Sequence, residues 1–187
     1  MRKKQTNFNI FQSQLKLPYL NTNYTLLPEI FELLELNFDL KRSSRQKFID
    51  LGSGDGNICI FITLNYDIRS YGIEIDQNLI IEAECKINLF RKENDYAKSQ
   101  LKKVKFIHGD FYDLKLKKYD FIYIYSLPSM QKFLKHVFNT VKKKAIIISH
   151  KHPLKDFTSI LKEEYTLPHK YTEQELYTYY YKKFEYS

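Results

Sequence analysis

The sequence predicts an α/β fold: a Rossmann-like three-layer sandwich with a mostly parallel seven-strand sheet and a C-terminal antiparallel hairpin. Three observations support this fold class. Strand-length apolar runs alternate with helical patterns, which is typical of βαβ units. Runs such as residues 145–149 are apolar almost throughout, as expected of strands covered on both faces. The last two strand candidates have no obvious helix between them, so we expect them to pair antiparallel.

The elements follow one another along a single domain. Residues 26–38 have apolar side chains at three- and four-residue spacing, which predicts an amphipathic helix. Helical patterns also cover residues 56–66, 78–98 and 130–141, although the β-branched content of 56–66 would also suit a strand. The strand candidates are residues 47–51, 70–75, 104–108, 119–125, 145–149, 164–167 and 176–184. We expect one domain over residues 1–187, with a Rossmann-like core over 46–187 and an N-terminal segment and helix over 1–40.

Composition narrows the class of protein. The 187 residues carry a net charge of +8, which favours acidic or nucleic-acid partners without establishing one, because the lysines are scattered in short clusters. The longest apolar run, residues 58–64, is far shorter than the ~18 residues of a membrane span. Cys59 and Cys85 lie in apolar-periodic segments, where buried, reduced thiols are expected, and nothing indicates a disulfide framework or a metal site. We expect a cytoplasmic monomer.

The sharpest motif is a glycine-rich turn after the first strand of the core. Gly52, Gly54 and Gly56 alternate directly after residues 47–51, where glycine permits a tight turn and the close approach of a ligand. Their spacing differs from the G-x-G-x-x-G fingerprint of dinucleotide-binding folds. It resembles the pattern of S-adenosylmethionine-binding folds, in which the loop is expected to face a cofactor without a pyrophosphate.

Acidic residues follow the next two strands of the core. Glu74 ends the second strand, so it should point into the crevice beside the glycine loop and accept hydrogen bonds from both ribose hydroxyls. Asp76 shares the strand phase but better fits the N-cap of the following helix. Asp110 and Phe111 follow the third strand, where an acid can accept from the adenine amino group and an apolar neighbour can cover the ring. A Gly-Asp pair after a strand is usually only a turn, but its place after the glycine loop and Glu74 favours the functional interpretation.

These residues resemble those of the seven-strand, class I S-adenosylmethionine-dependent methyltransferases. A closer resemblance, over about residues 18–184, is to the protein lysine methyltransferase group. That group includes broad-specificity archaeal enzymes and mitochondrial enzymes that modify the ATP synthase c-subunit or the adenine nucleotide translocase. The motifs are PYLNT at residues 18–22, IDLGSGDGNI at 49–58, PSM at 128–130 and the strand end at 149–150. The segment 153–155 departs from the group, because it lacks a bulky aromatic residue that often follows the proline.

The resemblance implies S-adenosyl-L-methionine as the cofactor and a role for each matching residue. Residues 1–40 would cover the cofactor, and Glu74 would bind its ribose. Asp50 and the glycine loop would hold the methionine end, and Asp110 with Phe111 would frame the adenine. The implied cofactor-binding residues are Tyr19, Thr22, Asp50, Gly52, Ser53, Gly54, Gly56, Glu74, Asp110 and Phe111.

The resemblance also implies that the methyl group emerges at the tip of the fourth strand, at residues 125–128, with Tyr125 and Ser126 as candidates for the substrate slot. A lysine substrate must first lose a proton, and with a pKa of about 10.4 roughly 1 in 10³ amines is neutral at pH 7. An apolar slot lined by aromatic rings would favour the neutral amine and align it. Tyr125, Tyr179 and Tyr181 are candidates for the walls, and His150 for a base or polar lip. The alternative interpretation is structural: packed strand aromatics and a hydrogen-bonded histidine.

The predicted function is protein lysine N-methylation, and the predicted partner is a protein with an accessible lysine. Three alternatives stay open. A nucleic-acid methyltransferase fits the basic charge, although YSLP at residues 125–128 replaces the Asn/Asp-Pro-Pro-aromatic box of the enzymes that methylate base amines. A non-catalytic cofactor-binding module is the second. Methylation of a small molecule is the third, and it is disfavoured because the short chain has little insertion from which to build a lid.

Overall fold

The computed structural model describes residues 20–93, 95–170, 172 and 174–184. The strands in this part of the chain are β1 (Lys47–Leu51), β2 (Arg69–Glu74), β3 (Val104–His108), β4 (Phe121–Ile124), β5 (Ile146–His150), β6 (Leu161–His169) and β7 (Leu176–Lys183). The α-helices are α1 (Leu27–Asn37), α2 (Asn57–Tyr66), α3 (Gln77–Glu93), α4 (Asp95–Gln100), α5 (Pro128–Gln131) and α6 (Lys135–Phe138). No helix among the described residues combines the length and the apolar character needed to cross a bilayer.

The strands form one seven-stranded sheet in the order β3-β2-β1-β4-β5-β7-β6. The first five strands pair in parallel, whereas β7 is antiparallel to both β5 and β6. This arrangement confirms the predicted fold class and its C-terminal hairpin. Strand β6 is longer than the predicted residues 164–167. It lies at the sheet edge, where residues 162–165 expose their side chains, so the apolar pattern of a buried strand does not mark its full length.

The two faces of the sheet bury separate apolar clusters, since successive side chains of a strand point to opposite faces. On the first face, Phe48 and Ile148 pack against α1 and α2. On the second face, Ile49 and Ile147 pack against residues 134–138 and 154–157. The chain therefore forms three layers around the sheet. The segment 56–66, which suited either a helix or a strand, contains helix α2 on the first face, and Gly56 is its N-cap with a left-handed φ of 78°.

The second face is covered by shorter helices than the sequence predicts. The continuous helix expected over residues 130–141 is wrong: α5 ends at Gln131, α6 begins at Lys135, and tight turns connect them. Thr140 explains why α6 does not continue to residue 141. Its hydroxyl donates to the carbonyl of Val137 and accepts from the backbone N–H of Leu116, both at 2.7 Å, so it takes the place of the next helical turn.

Candidate active site

A cleft opens at the carboxyl ends of β1 and β4, where the glycine loop begins. Because these strands are parallel neighbours, the residues that follow them meet at one edge of the sheet. The cleft is lined by Leu20, Asn21, Thr22, Asp50, Gly52, Ser53, Asp55, Asn57, Ile58, Tyr123 and Tyr125. Five of the predicted site residues (Thr22, Asp50, Gly52, Ser53 and Tyr125) therefore lie together.

The glycines of the loop serve different purposes. All three have positive φ angles, of 80° at Gly52, 52° at Gly54 and 78° at Gly56, where residues with a Cβ are strained. Gly52 faces the cleft. Gly56 faces inward, and a Cβ atom there would lie 2.4 Å from the ring of Phe106. The structure therefore gives Gly56 a packing role between α2 and the sheet, and gives Gly52 the close approach to a ligand.

Glu74 connects the end of β2 to the glycine loop. Its Oε2 atom accepts from the backbone N–H of Gly54 at 2.9 Å, and its Oε1 atom accepts from those of Ile75 and Asp76 at 2.8 and 3.0 Å. A carboxylate offers about four acceptor positions. Three are used, so one position on Oε2 is left for a ligand hydroxyl in this conformation. Asp76 in turn accepts from the N–H of Asn78 at 2.8 Å, and so caps α3 as predicted.

Asp50 is buried at the floor of the cleft, with 3% of its surface exposed. Burial raises its pKa well above the ordinary value, and the nearby carboxylates of Glu74 and Asp55 raise it further. Loss of hydration and like-charge repulsion both disfavour the ionised form. A positively charged ligand group placed here would relieve that repulsion, and S-adenosylmethionine carries both an amino group and a sulfonium.

Asp110 and Phe111 follow β3 as predicted, but Asp110 already has a structural partner. Its side chain caps a short 3-10 turn by accepting from the backbone N–H of Tyr112 at 2.9 Å. Burial raises its pKa. Phe111 lies beside the glycine loop, with a ring atom 3.7 Å from the position of a Cβ on Gly52. The ring is therefore close enough to the loop to cover a flat group bound there.

The N-terminal segment contributes Thr22, whose hydroxyl is hydrogen-bonded to that of Tyr123 at 2.8 Å. The predicted partner Tyr19 lies outside the described residues. Sequence reasoning missed Tyr123, although two signals pointed to it. It shares the strand phase of Tyr125, and a tyrosine hydroxyl inside an apolar strand requires a partner.

A polar cluster at the rim of the cleft was also missed. Lys86 of α3 contacts the carboxylate of Asp55 and donates to the amide oxygen of Asn57 at 2.9 Å. Asn57 also donates to Asp55 at 2.9 Å. The cluster holds the second half of the glycine loop against α3. Lys86 lies 31 residues from Asp55 and 29 residues from Asn57 in the chain, so no local sequence motif predicts this contact.

The predicted catalytic residues lie at the tip of β4 and the end of β5. The rings of Tyr125 and His150 meet edge to face, with centroids 5.0 Å apart. Ser126 is 4% exposed, and its hydroxyl has no hydrogen-bond partner among the described residues. A buried hydroxyl without a partner costs free energy, which a bound ligand can recover. Burial and nearby positive groups lower the pKa of His150 to about 3, so its ring is neutral at physiological pH.

The other two tyrosines proposed for the substrate slot are wrongly placed for it. Tyr179 and Tyr181 belong to the second face of the sheet, whereas Tyr125 packs on the first. Tyr181 accepts from the backbone N–H of Leu154 and contacts Glu163, which fixes it as a structural residue. The alternation of side chains along β7 explains the error, since the phase of that strand relative to β4 is set by pairing that the sequence does not show.

A second cavity, of about 700 Å³, lies at the opposite edge of the sheet, where β1, β4 and β5 begin. Phe38, Lys144 and Lys182 are among its lining residues. It contains no residue of the glycine motif and none that follows a parallel strand. We therefore assign the chemistry to the smaller cleft, since ligands of open α/β sheets bind at the carboxyl ends of the strands.

Comparisons with known proteins agree with this geometry. Residues 50–160, more than half of the chain, match the model of the family described as the ANTKMT methyltransferase domain. Among solved structures, the chain is similar to an RNA methyltransferase from Salinibacter ruber in complex with S-adenosyl-L-homocysteine. The two are 24% identical, with 88% of this chain and 93% of that chain covered and a TM-score of 0.65.

Two further solved structures share the fold. The M1A22 tRNA methyltransferase TrmK of B. subtilis is 13% identical, with 87% of this chain and 66% of that chain covered and a TM-score of 0.62. TYW2 of P. horikoshii in complex with MeSAdo is 14% identical, with 90% and 65% covered and a TM-score of 0.63. No curated protein matches the chain.

The family match confirms three predictions from the sequence: the class I methyltransferase resemblance, the enzyme class and the S-adenosylmethionine cofactor. The matched range begins at Asp50 and includes the glycine loop, Glu74, Asp110, Tyr125 and His150. The chain therefore belongs to the family of the ANTKMT methyltransferase domain, and it is an S-adenosylmethionine-dependent methyltransferase.

Proposed function

We propose that the chain methylates the ε-amino group of a lysine in a protein substrate. The observation that carries the proposal is the neutral aromatic corner formed by Tyr125 and His150 at the tip of β4, directly beside the cleft. An uncharged corner disfavours an ammonium ion and favours the neutral amine that can attack a methyl group. The family match and the resemblance to lysine methyltransferases support the same substrate class.

The residues of the cleft suit the cofactor. The methionine end would lie over Asp50, whose raised pKa indicates a place for positive charge. The free acceptor position on Glu74 would take one ribose hydroxyl, and Phe111 would cover the adenine. Thr22, held by Tyr123, would close the cleft from the N-terminal side. When bound there, the cofactor supplies an electrophilic methyl group on its sulfonium.

The protein's own contribution is to orient the amine and to remove water. Tyr125 would pack against the alkyl chain of the lysine and so align the amine. The hydroxyl of Ser126 would accept a hydrogen bond from the incoming amine, which would supply its missing partner. Holding the amine in line with the bound methyl group would account for much of the rate acceleration.

An RNA substrate is the second candidate, and two observations favour it. The net charge of +8 suits a polyanionic partner, and the described relative from Salinibacter ruber is an RNA methyltransferase covered over 93% of its length. Against it, residues 125–128 offer no amide or carboxylate to a base amine. We rank it below lysine for that reason.

The deciding experiment is labelling of a cell extract with radioactive S-adenosylmethionine, with and without RNase or protease. Label that survives RNase and hydrolyses to methyl-lysine supports the proposal. Label that RNase removes supports the RNA substrate, and no label despite cofactor binding indicates a small-molecule substrate or a silent module. Glu74→Ala is the control with impaired cofactor binding, and Tyr125→Ala with retained cofactor binding tests the slot.

The proposal includes the cellular setting. Cys59 is buried, but the expectation of a buried Cys85 is wrong, because Cys85 lies on the exposed side of α3. An exposed free thiol fits a reducing compartment such as the cytoplasm. We expect the enzyme to act as a monomer on a protein with an accessible lysine. Size-exclusion chromatography with light scattering would measure the oligomeric state directly.

A further inference from the structure

A row of hydrogen-bonded side chains crosses the first face of the sheet, from the substrate corner to the surface of α1. His150 Nδ1 lies 2.8 Å from the hydroxyl of Thr178, and that hydroxyl lies 2.8 Å from His169 Nε2. His169 Nδ1 lies 2.9 Å from Glu29 Oε2. We call these four residues the polar row. Each comes from a different element: β5, β7, β6 and α1.

The polar row is buried except at one end. His150, Thr178 and His169 are 2%, 0% and 5% exposed, whereas the Glu29 side chain is 48% exposed. Burying polar groups costs free energy, and apolar side chains at these strand positions would avoid that cost. The cost of burying these polar side chains therefore indicates that the polar row has a role other than stabilising the fold. Its position suggests one, because it joins the corner beside the cleft to a carboxylate in contact with solvent.

The donors and acceptors along the row fix a direction when both histidines are neutral. The carboxylate of Glu29 can only accept, so His169 Nδ1 must carry a proton. His169 Nε2 is then a lone pair and accepts from the hydroxyl of Thr178. The same hydroxyl accepts from His150 Nδ1–H. His150 Nε2 is left as a lone pair, and it has no hydrogen-bond partner among the described residues.

We propose that the polar row is a proton relay, in which His150 takes the proton that the substrate amine must lose and His169 holds the charge beside Glu29. This inference rests on the proposed function, because it requires an amine substrate. The ammonium gives its proton to His150 Nε2. The Nδ1 proton of His150 moves to Thr178, and the hydroxyl proton of Thr178 moves to His169 Nε2. The amine keeps its electron pair and attacks the methyl group.

The charge is thereby stored two residues away from the reaction. His150 ends neutral with its hydrogen on Nε2, and His169 becomes an imidazolium ion paired with the Glu29 carboxylate. After the methylated product leaves, the same steps run backwards, and His150 Nε2 releases the proton to water. Every proton is accounted for, and no other reactant is needed.

The surroundings of His150 explain why a relay is needed. Desolvation, together with the nearby His169, Lys151 and His152, lowers its pKa to about 3, so His150 by itself is too weak a base to hold a proton. The pair of His169 and Glu29 removes that limit by placing the charge next to an anion. Within the sheet, His150 faces Tyr123 of β4, Tyr125 directly after β4, and Thr178 and His169 of the hairpin. Lys151 and His152 face it from the loop after β5.

The first arm of the test measures the ring tautomers in the free protein by long-range proton–nitrogen-15 NMR. We expect both histidines to carry their proton on Nδ1 at pH 7. Finding the proton of His150 on Nε2 would overturn the relay, even with lysine methylation established. This arm needs no substrate, so it separates the relay from the proposed function.

The second arm measures the pH dependence of kcat on a lysine-containing substrate. Thr178→Val removes the bridging hydroxyl and should lower kcat at pH 7 by at least ~10-fold, with the deficit shrinking as the pH approaches the amine pKa of about 10.4. Thr178→Ser keeps the hydroxyl and should restore the rate. A Thr178→Val enzyme with the wild-type pH profile would contradict the relay.

A second variant tests the relay at a half-exposed position, where a substitution does not disturb the buried core as Thr178→Val could. Glu29→Gln changes the half-exposed end, keeps a hydrogen bond to His169 and removes the counter-charge. It should lower kcat at pH 7 with KM for the cofactor unchanged, while Glu32→Gln on the exposed face of α1 should have no effect. Equal rates for both glutamine variants would overturn the relay. An active cofactor site with no methyl-lysine product would instead overturn the proposed function.

Discussion

Replacing Glu74 by glutamine should weaken the fold and the cofactor site together, because one carboxylate supports both. The glutamine oxygen can keep the N–H groups of Ile75 and Asp76, which now bond to Oε1. The amide nitrogen would then face the N–H of Gly54, donor against donor. Either the loop must move, or the N–H of Gly54 stays buried without an acceptor.

The size of the effect follows from that single lost acceptor. A buried donor without a partner costs about 1–3 kcal/mol. For a protein of this length, about 1 kcal/mol lowers the melting temperature by about 2–4 °C. A displaced loop would also move the backbone at which we propose that the cofactor binds. We therefore expect Glu74→Gln to lower the melting temperature by several degrees, and Glu74→Ala to weaken S-adenosylmethionine binding by more than ~10-fold.

Differential scanning calorimetry and titration calorimetry measure the two effects separately. The matched control is Glu82→Gln, an exposed position on α3. Its melting temperature and cofactor affinity should equal those of the wild type. A Glu74→Gln protein with wild-type stability and affinity would show that Glu74 does not bond the loop, and the assignment of the ribose site would fail with it.

Three other changes test separate parts of the cleft. Asp50→Asn should weaken cofactor binding yet raise the melting temperature. Because the pKa of Asp50 is raised in the folded state, its ionisation costs stability above the unfolded pKa of about 3.9. The difference in melting temperature between variant and wild type should therefore grow as the pH rises from that value. A constant difference from pH 4 to 8 would contradict this. Gly56→Ala should cost at least about 1–2 kcal/mol in denaturant unfolding, from its positive φ alone, whereas Gly109→Ala, whose Cβ would make an ordinary 3.8 Å contact, should cost less. Tyr123→Phe should cost about 0.5–1.5 kcal/mol, and a double-mutant cycle with Thr22→Val should recover that coupling; additive effects would mean that the hydroxyls do not bond in solution.

Much of the fold could be predicted because local patterns and global topology agree. Strand β1 and the bounds of β3 match their apolar runs, and Glu74 is the last residue of β2, as its place before Asp76 suggested. The antiparallel hairpin followed from the missing helix before β7. The helix over residues 130–141 failed because its apolar spacing reports burial against the sheet, which short turns satisfy as well as a long helix does.

The candidate site could be predicted less completely, for a reason that is also physical. Glycines and acids at the ends of strands are positioned by the parallel sheet itself, so Gly52 and Glu74 could be placed from their order in the chain, whereas Asp50 was implied only by the family resemblance. Lys86 and Tyr123 reach the cleft through side-chain contacts between distant elements. The partners of His150 come from the hairpin and α1, and sequence alone gave that histidine only a vague role as a base or polar lip. The hydrogen-bond partners of His150 can be identified only once the pairing register of β5, β7 and β6 is known.

The position of β7 has a consequence for how the enzyme is made. This strand follows β6 in the chain but lies between β5 and β6 in the sheet. Until a ribosome has released residues 176–183, β5 has an open edge with unpaired backbone groups beside buried isoleucines, which is a template for aggregation. Insertion of the strand closes that edge and places Thr178 between two histidines in one event. A nascent chain in which β7 has not yet inserted would therefore have an unpaired edge on β5 and no hydroxyl between His150 and His169.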